Sequence, residues 1–295
     1  MELRVLRYFL TVSREETVSR AAELLHITQP TLSRQLAQME YELGTTLFEH
    51  RGRRIVLTAD GLLLRRRAEE ILELVDRAEQ EMSHSGEELQ GVIVAGHGET
   101  AAMRRLADCA AAFHQEHPLV RFSFFSGTVD VVKERMDRGL IDVGLLMEPI
   151  ELEKYDYIRM EQAERLAAFM RPDDPLAEKE FISPEDLAGK PLILPTRYQN
   201  MMRNWMGPRF LEDSAQFLTN LPTMGGIMAA KGLGYLLTIE GALPFRDPDR
   251  LAMRLLKGCE ELHSVFAWKR GQPSSIAVER FIRFAKCFWG IDQST

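Results

Sequence analysis

A row of polar side chains follows one face of a predicted helix near the start of the chain: Gln29, Thr31, Ser33, Arg34, Gln35 and Gln38. Amide, hydroxyl and guanidinium groups of this kind read base edges and hold phosphates in the major groove of a duplex. The opposite face is apolar at helical spacing, with Leu32, Leu36, Met39 and Leu43. The same spacing also fits an ordinary surface helix pair, because helical hairpins are common in globular proteins.

A shorter amphipathic helix precedes this one, across a tight turn. Its apolar stripe is formed by Val18, Ala22 and Leu25, and Thr17 stands where a capping residue belongs. Thr28 is predicted to cap the second helix. Pro30 is tolerated in the first turn of that helix, where its missing N–H would be unpaired anyway. A helix over residues 2–14 comes before both, so the pattern predicts a helix-turn-helix.

An arginine-rich hairpin is predicted directly after these helices. Residues 47–57 contain two short apolar runs around a glycine turn, and the turn carries Arg51, Arg53 and Arg54. Beside a helix-turn-helix, such a turn is typical of a wing tip that contacts phosphate. In isolation it fits a solvated turn equally well.

A long helix is predicted over residues 59–84, with Thr58 as its cap. Apolar residues recur along it in steps of four and three, with Leu72 alongside: Leu64, Ala68, Ile71, Val75, Ala78 and Met82. A stripe of this kind must be buried, most simply against a second copy. A dimer would hold two recognition helices over two half-sites of one duplex. The alternative is packing onto the helix's own domain.

The pattern changes after residues 83–86, where strands begin to alternate with helices. This βαβ order predicts mostly parallel sheets. We expect residues 1–58 to form a winged helix-turn-helix domain and 59–88 a linker helix. Residues 89–295 are expected to form an α/β domain of two hinged lobes, lobe I at about 89–162 and 268–295 and lobe II at about 163–267.

Composition indicates a globular protein and restricts its function. Of the 295 residues, 45% are hydrophobic and 27% charged, and no apolar run is long enough for a membrane span. The N-terminus lacks the features of a secretory signal. The three cysteines are far apart, which disfavours a disulfide framework and fits a cytoplasmic location. The net charge of −7 argues against DNA binding, although arginines crowd residues 51–54.

Catalytic and redox motifs are absent from the sequence. No nucleophile–base spacing, glycine-rich phosphate loop or paired histidine motif is present, so neither an enzyme, a metal site nor a cofactor is expected. A peroxide sensor would need two neighbouring thiols in the second lobe, where only Cys259 falls. The alternative to a DNA-binding regulator is a two-lobed solute-binding protein, or an enzyme without DNA function.

The run from Ala21 to Ser33 resembles the "AA..L..SQP.LS" signature of LysR-type transcriptional regulators. Later landmarks of that family are similar to residues 43–44, 47–49 and 57–61, and residues 139–145 and 175–177 resemble its effector-binding domain. The resemblance implies a regulator controlled by a small-molecule effector, with a C-terminal domain folded like periplasmic solute-binding proteins. It also implies a homodimer or homotetramer and makes RNA polymerase a candidate partner.

The resemblance implies roles in DNA binding for individual residues. Gln29 would read bases, while Ser33 and Arg34 would mostly hold phosphates. Pro30 and Thr31 would lie in the same groove. Contacts with the DNA backbone would come from the helix starts and the wing: Thr17, Ser19, Thr28, Arg51, Arg53 and Arg54.

Candidate effector contacts stand where strands end and helices begin, since two-lobed α/β proteins bind ligands at those ends. They are His97, Glu99, Thr100, Thr128, Glu148, Thr196, Asn220 and Thr223. His97 and Glu99 stand where the family often has small residues. If His97, Glu99 and Glu148 face the cleft, the ligand should carry a positive or strongly donating group. Glu99 could instead be an ordinary first-turn helix stabiliser.

Overall fold

The computed structural model describes residues 1–52, 54–82, 88–207, 215–271 and 274–290. Its internal contacts divide the chain into two units, Met1–Ser85 and Gly86–Thr295. The two units correspond to the two halves of the sequence pattern, one with helical periodicity and one in which strands and helices alternate.

In its described part, the N-terminal unit contains short helices, a hairpin and a long helix. Their bounds are α1 Leu3–Glu15, α2 Val18–Leu24, α3 Gln29–Leu43, β1 Phe48–Arg51, β2 Arg54–Leu57 and α4 Ala59–Met82. The two strands pair antiparallel. Phe9, Leu32 and Leu47 are fully buried between these elements. The predicted order of a helix, a helix-turn-helix, a wing and a long helix is present.

Two polar contacts hold the wing against the helices. The backbone N–H of Ile55 donates to the Glu16 carbonyl at 2.8 Å, just where α1 ends. The Glu40 carboxylate on α3 accepts from the N–H groups of Leu47 and Phe48, at 2.6 and 3.2 Å. The wing is therefore fixed relative to both α1 and α3.

The long helix α4 begins as predicted but buries its stripe differently. Thr58 caps it by accepting from the Gly61 N–H at 3.0 Å. A Cβ on Gly61 would lie 2.1 Å from the Leu47 carbonyl oxygen, so this position requires glycine. Ala68 and Leu72 are buried in the core that α1 contributes to, and Leu64 and Ile71 pack against that core. The first half of the predicted dimer stripe therefore packs onto its own domain, which corrects the prediction.

A five-stranded sheet forms the first lobe of the C-terminal unit, in the order β4-β3-β5-β13-β6. Strands β3, β4 and β5 are parallel, whereas β13 runs antiparallel to both β5 and β6. Helices α5 and α9 contribute Phe113 and Phe281 to a core on this sheet. The bounds are β3 Gly91–His97, α5 Ala102–Glu116, β4 Val120–Ser126, α6 Val129–Asp137, β5 Val143–Met147, β6 Tyr155–Glu164, β13 Leu262–Lys269 and α9 Ile276–Phe288.

A six-stranded sheet forms the second lobe, in the order β10-β9-β11-β7-β12-β8. Strands β9, β10 and β11 are parallel. Helix α8 lies close to β11, since a Cβ on Gly225 would come within 2.8 Å of the Leu236 side chain. The bounds are β7 Leu166–Met170, β8 Phe181–Ile182, β9 Leu192–Pro195, α7 Gln199–Met206, β10 Ala215–Thr219, α8 Pro222–Ala230, β11 Tyr235–Ile239 and β12 Ala252–Leu256.

The observed boundary between the lobes differs from the boundary predicted from the sequence. The expected boundary at residue 267 falls inside β13, which pairs with β5 and β6 of the first sheet. The chain therefore returns to the first lobe between residues 256 and 262. Strands β6, β8 and β12 were not predicted. The alternation of strands and helices also predicts a helix near residues 198–211. It is present as α7, and residues 208–211 lie outside the described part of the chain.

Candidate functional site

The exposed face of α3 carries the predicted polar residues. Leu32, Leu36 and Met39 are buried beneath it, as the spacing predicts, whereas Leu43 is 41% exposed and does not belong to the core. Leu43 is the last residue of α3, directly before Gly44, which ends the helix in a left-handed conformation. All the proposed groove residues on this helix are exposed: Gln29, Pro30, Thr31, Ser33 and Arg34.

Short hydrogen bonds hold two of these side chains before any ligand binds. The Ser19 hydroxyl on α2 donates to Oε1 of Gln29 at 3.0 Å. This bond uses the amide oxygen, so the amide nitrogen keeps its two donors for a partner outside. The hydroxyls of Thr28 and Thr31 are 2.8 Å apart and share a hydrogen bond. The start of α3 is thus ordered by neighbouring polar groups.

Thr17 and Thr28 occupy cap positions without making cap hydrogen bonds. Both have the extended backbone typical of a capping residue, but neither hydroxyl accepts from the first turn of its helix. This corrects the predicted role of the hydroxyls. For Thr28 the reason is local, since Pro30 has no N–H at the second helical position and the Thr28 hydroxyl is engaged with Thr31.

The wing presents arginine side chains to solvent. Arg51 and Arg54 are exposed at the ends of the two wing strands, and Arg53 lies outside the described residues. Nη1 of Arg54 is 3.0 Å from Oε2 of Glu16, with the two side chains 74% and 47% exposed. An exposed ion pair of this kind contributes little stability, so a phosphate can compete for the guanidinium.

In the C-terminal unit, one group of predicted effector residues lies at the carboxyl ends of β3, β4 and β5. His97 ends β3, and its Nε2 is 3.3 Å from the Ser126 hydroxyl at the end of β4. Thr128 caps α6 and accepts from the Val131 N–H at 3.5 Å. The remaining members of the group are Glu99, Thr100 and Glu148. Because these strands are parallel, their carboxyl ends lie along one edge of the sheet.

A second group of predicted effector residues lies at the carboxyl ends of β9 and β10. Thr196 follows β9 and is exposed, and Asn220, also exposed, stands between β10 and α8. Thr223 lies in the first turn of α8. Strands β9 and β10 are parallel, so these residues also share one edge.

Two polar contacts bring these edges together across the lobes. The Glu99 carboxylate accepts from the backbone N–H and the hydroxyl of Thr223, at 2.8 and 2.6 Å. Nη2 of Arg197, which follows β9, donates to the carbonyls of Met147 and Pro149, at 2.7 and 3.0 Å. The carboxyl ends of both parallel sets therefore face one cleft.

The acidic residues of the cleft are already paired. Arg159 donates to Oε2 of Glu148 through Nε and Nη2, at 3.0 and 2.8 Å, and Glu99 is bound to the start of α8. The expectation of a positive or strongly donating ligand depended on these carboxylates facing the cleft, and both of them already have a protein partner. Sequence reasoning did not place Arg159 at the cleft, because no spacing rule links two side chains on different strands.

A buried carboxylate that the sequence did not reveal lies where the chain crosses between the lobes. Glu164, the last residue of β6, is 2% exposed, and Oε1 accepts from the Ala101 N–H at 3.0 Å. Burial raises the pKa of its carboxyl to about 7, against hydrogen bonds from backbone N–H groups that lower it. Three hydroxyls, those of Thr100, Thr238 and Ser264, are also buried and lack a hydrogen-bond partner in the described structure.

A mostly apolar cavity of about 490 Å³ lies against the Glu99–Thr223 contact. Its walls come from α5, α8 and residues 242–251, and include Met103, Ile227 and Leu243. Glu99 and Thr223 contribute polar groups to the same wall. A small molecule with an apolar body fits a cavity of this size and composition.

Two of the three thiols are poorly suited to redox sensing. Burial raises the pKa of Cys109 to about 12 and that of Cys259 to about 11, which suppresses the reactive thiolate form. Within the described residues, no group of three or more histidine, cysteine or carboxylate side chains could hold a metal ion. In the same part of the chain, no helix combines the length and apolarity needed to cross a bilayer.

Comparison with known proteins agrees with this arrangement. A family model described as "Bacterial regulatory helix-turn-helix protein, lysR family" matches residues 3–62. A second model, "LysR substrate binding domain", matches residues 86–289. The HTH-type transcriptional regulator AlsR of Bacillus subtilis (strain 168) is 25% identical over 293 residues, which cover 97% of this chain and 96% of AlsR.

Another relative is similar to this chain in sequence, and a solved structure is similar to it in fold. The DNA-binding transcriptional dual regulator OxyR of Escherichia coli (strain K12) is 28% identical over 254 residues, which cover 85% of this chain and 82% of OxyR. Full-length CbnR, in a crystal structure with its target DNA, has a similar fold. Its TM-score is 0.77 at 22% identity, covering 98% of this chain and all of CbnR (100%). The chain is therefore a member of the LysR family, a DNA-binding transcription regulator with an effector-binding domain and not an enzyme.

Proposed function

We propose that α3 binds the major groove of double-stranded DNA through its exposed N-terminal half. The observation that carries this proposal is the Ser19–Gln29 hydrogen bond, which orients an exposed amide for a base edge. Gln29 then reads a base, and Pro30 and Thr31 lie against the same groove. Backbone phosphates are contacted by hydroxyls and guanidiniums: Thr17, Ser19, Thr28, Ser33, Arg34, Arg51, Arg53 and Arg54.

The second copy of a homodimer docks on α4. Leu63 and Leu74 are 48% and 39% exposed and stand eleven residues apart, which places them on one face of the helix. This face differs from the stripe that packs against α1. A tetramer and a contact with RNA polymerase are further assemblies suggested by the family, without a specific surface on this chain.

A small-molecule effector binds between the two lobes of the C-terminal unit. The support is the convergence of two sets of parallel strand ends on one cleft, bridged by Glu99–Thr223 and by Arg197. Its contacts are drawn from His97, Glu99, Thr100, Thr128, Glu148, Thr196, Asn220 and Thr223. Binding there changes the relation between the lobes, and this change is coupled to DNA binding.

Gel-shift titrations with the DNA upstream of the chain's own gene test the groove assignment. Gln29→Ala removes a base contact and should weaken binding by about 10- to 100-fold. Arg34→Ala should weaken binding to all sequences and reduce the slope of log affinity against log salt by about one.

The control for these titrations is Arg121→Ala, which removes an exposed arginine from the C-terminal unit and should leave the affinity unchanged. Unchanged binding by both α3 variants would exclude the proposed groove contacts. Equal weakening by Arg34→Ala and Arg121→Ala would reduce the effect of Arg34 to one of general charge.

A further inference from the structure

Glu99 supplies a carboxylate to a helix that has no cap of its own. The N-cap position of α8 is Leu221, whose side chain makes no cap hydrogen bond and belongs to a residue class that caps poorly. Pro222 follows and lacks an N–H, so Thr223 carries the first available backbone donor of the helix. That donor is bound to Oε2 of Glu99 at 2.8 Å, and the Thr223 hydroxyl is bound to Oε1 at 2.6 Å.

The contact joins the two lobes and is not a local capping motif. Glu99 follows β3 of the first lobe and is 124 residues from Thr223 in the sequence. Local caps come from residues within a few positions of the helix start. The N-terminus of a helix favours negative charge through its unpaired N–H groups and its dipole. The Glu99 carboxylate therefore stands where an external anion would bind.

The position of this carboxylate is accessible to a ligand. Glu99 and Thr223 both line the cavity of about 490 Å³ described above, and its other walls are largely apolar. Lys231 and Arg246 also line the cavity and add positive charge. A molecule with an apolar body and an anionic group therefore matches both the cavity and the start of α8.

We propose that Glu99 is an internal ligand. Its carboxylate occupies the anion subsite at the start of α8 and latches the two lobes together. An effector that bears a carboxylate or similar oxyanion on an apolar body replaces this carboxylate. This inference rests on the proposed function, in which the cleft binds the effector. Because Glu99 is held on the same chain, its effective concentration at the subsite is high. A simple anion without the apolar body cannot displace it.

Hydrogen exchange on the full chain tests the latch, with acetate as the probe for a vacant subsite. In Glu99→Ala, the backbone amides of residues 223–225 should exchange about tenfold faster than in the wild type, since a charge-assisted hydrogen bond is lost. Sodium acetate at about 0.1 M, compared with sodium chloride at equal ionic strength, should restore their protection and raise the melting temperature by about 2–4 °C. The wild type should show neither response.

Two further variants control the experiment. Asp247→Ala removes another carboxylate that lines the same cavity and should behave as the wild type does. Glu99→Gln fills the space of the carboxylate without its charge, so exchange should accelerate without any response to acetate. Should Glu99→Ala fail to fold, unchanged exchange at residues 223–225 in Glu99→Gln would overturn the proposal.

Two further results of the acetate experiment would also contradict the proposal. An acetate effect of the same size in the wild type and in all variants, or none in a folded Glu99→Ala, would overturn the latch. DNA binding is measured on the same preparations. If Glu99→Ala responds to acetate but the chain never binds DNA, the latch stands and the proposed DNA-binding function is wrong. If the chain binds DNA but a folded Glu99→Ala does not respond to acetate, the latch is wrong and the proposed DNA-binding function stands.

Discussion

At the scale of single residues, polar side chains at both candidate sites are held by partners before ligand binds. Ser19 orients Gln29 on the candidate DNA face, and Arg159 pairs with Glu148 at the candidate effector cleft. Bound partners reduce the number of conformations that must be lost on binding. They also determine which atoms remain available, and for Gln29 these are the two donors of its amide nitrogen.

Glu164 makes the stability of the C-terminal unit depend on pH. Burial raises the pKa of this carboxyl from an ordinary 4.5 to about 7. In the unfolded chain the same carboxyl has a pKa near 4.5. The contribution of Glu164 to the free energy of unfolding is therefore fully present below pH 4.5 and is lost as the pH rises to about 7. The shift corresponds to about 3 kcal/mol.

Thermal unfolding of Glu164→Gln and the wild type between pH 5 and pH 8 measures this effect. The amide cannot ionise, so the melting temperature of the variant relative to the wild type should rise with pH across this range. The exposed neighbour Glu161 provides the control variant Glu161→Gln, whose difference from the wild type should stay nearly constant. A difference for Glu164→Gln that is flat or falls with pH would contradict the raised pKa.

The sequence was informative about the exposed face of α3 and much less so about the cleft. Residues 29–34 lie on one helix, so their types and spacing indicated a shared exposed face. The Glu99–Thr223 and Arg197–Met147 contacts join residues 124 and 50 positions apart. No local pattern encodes such pairs, so the sequence could not show that Glu99 already has a protein partner.

At the scale of elements, α4 carries two apolar faces, one packed in the core with α1 and one exposed. Leu72 is 7% exposed and packs in the core with α1, while Leu74 is 39% exposed. The periodicity revealed a helix with a buried stripe, as observed. It could not show whether α1 or a second copy of the chain packs on that stripe, because both kinds of packing require the same spacing of apolar residues.

Leu72→Ala and Leu74→Ala separate these two roles. Leu72→Ala should destabilise the N-terminal unit by about 2–4 kcal/mol, because it leaves a cavity in a packed core. Leu74→Ala should leave unfolding nearly unchanged and weaken dimerisation. Chemical denaturation at high protein concentration measures the first effect, and sedimentation equilibrium measures the second. A loss of stability without any change in association for both variants would place Leu74 in the monomer core and exclude it from the dimer face.

At the scale of the whole molecule, the sequence predicted the class of fold better than its connections. Alternating strands and helices after residue 86 indicated parallel βαβ units, and β3, β4, β5, β9, β10 and β11 are such strands. Strands β6 and β12 went unrecognised. In β6 the buried residues Tyr155, Ile158 and Met160 do not alternate strictly. The lobe boundary was therefore placed inside β13.

The molecule combines a preorganised face on α3, the candidate DNA face, with a cleft whose lobes are bridged by its own side chains. The net charge of −7 does not prevent DNA binding on this account, because the candidate DNA face carries exposed arginines, Arg34 on α3 and Arg51 and Arg54 on the wing. The affinity should therefore fall steeply as salt increases.

The most direct test of the central claim is a selection of duplexes from a random-sequence pool by the full-length protein at low salt. The account predicts enrichment of a two-fold symmetric site, with half-sites spaced by one turn of about 10–10.5 base pairs or a multiple of it. It also predicts that Gln29→Ala loses the preference at one base in each half-site. Failure of the wild-type protein to enrich any duplex, or an identical preference in Gln29→Ala, would contradict the claim that α3 reads DNA.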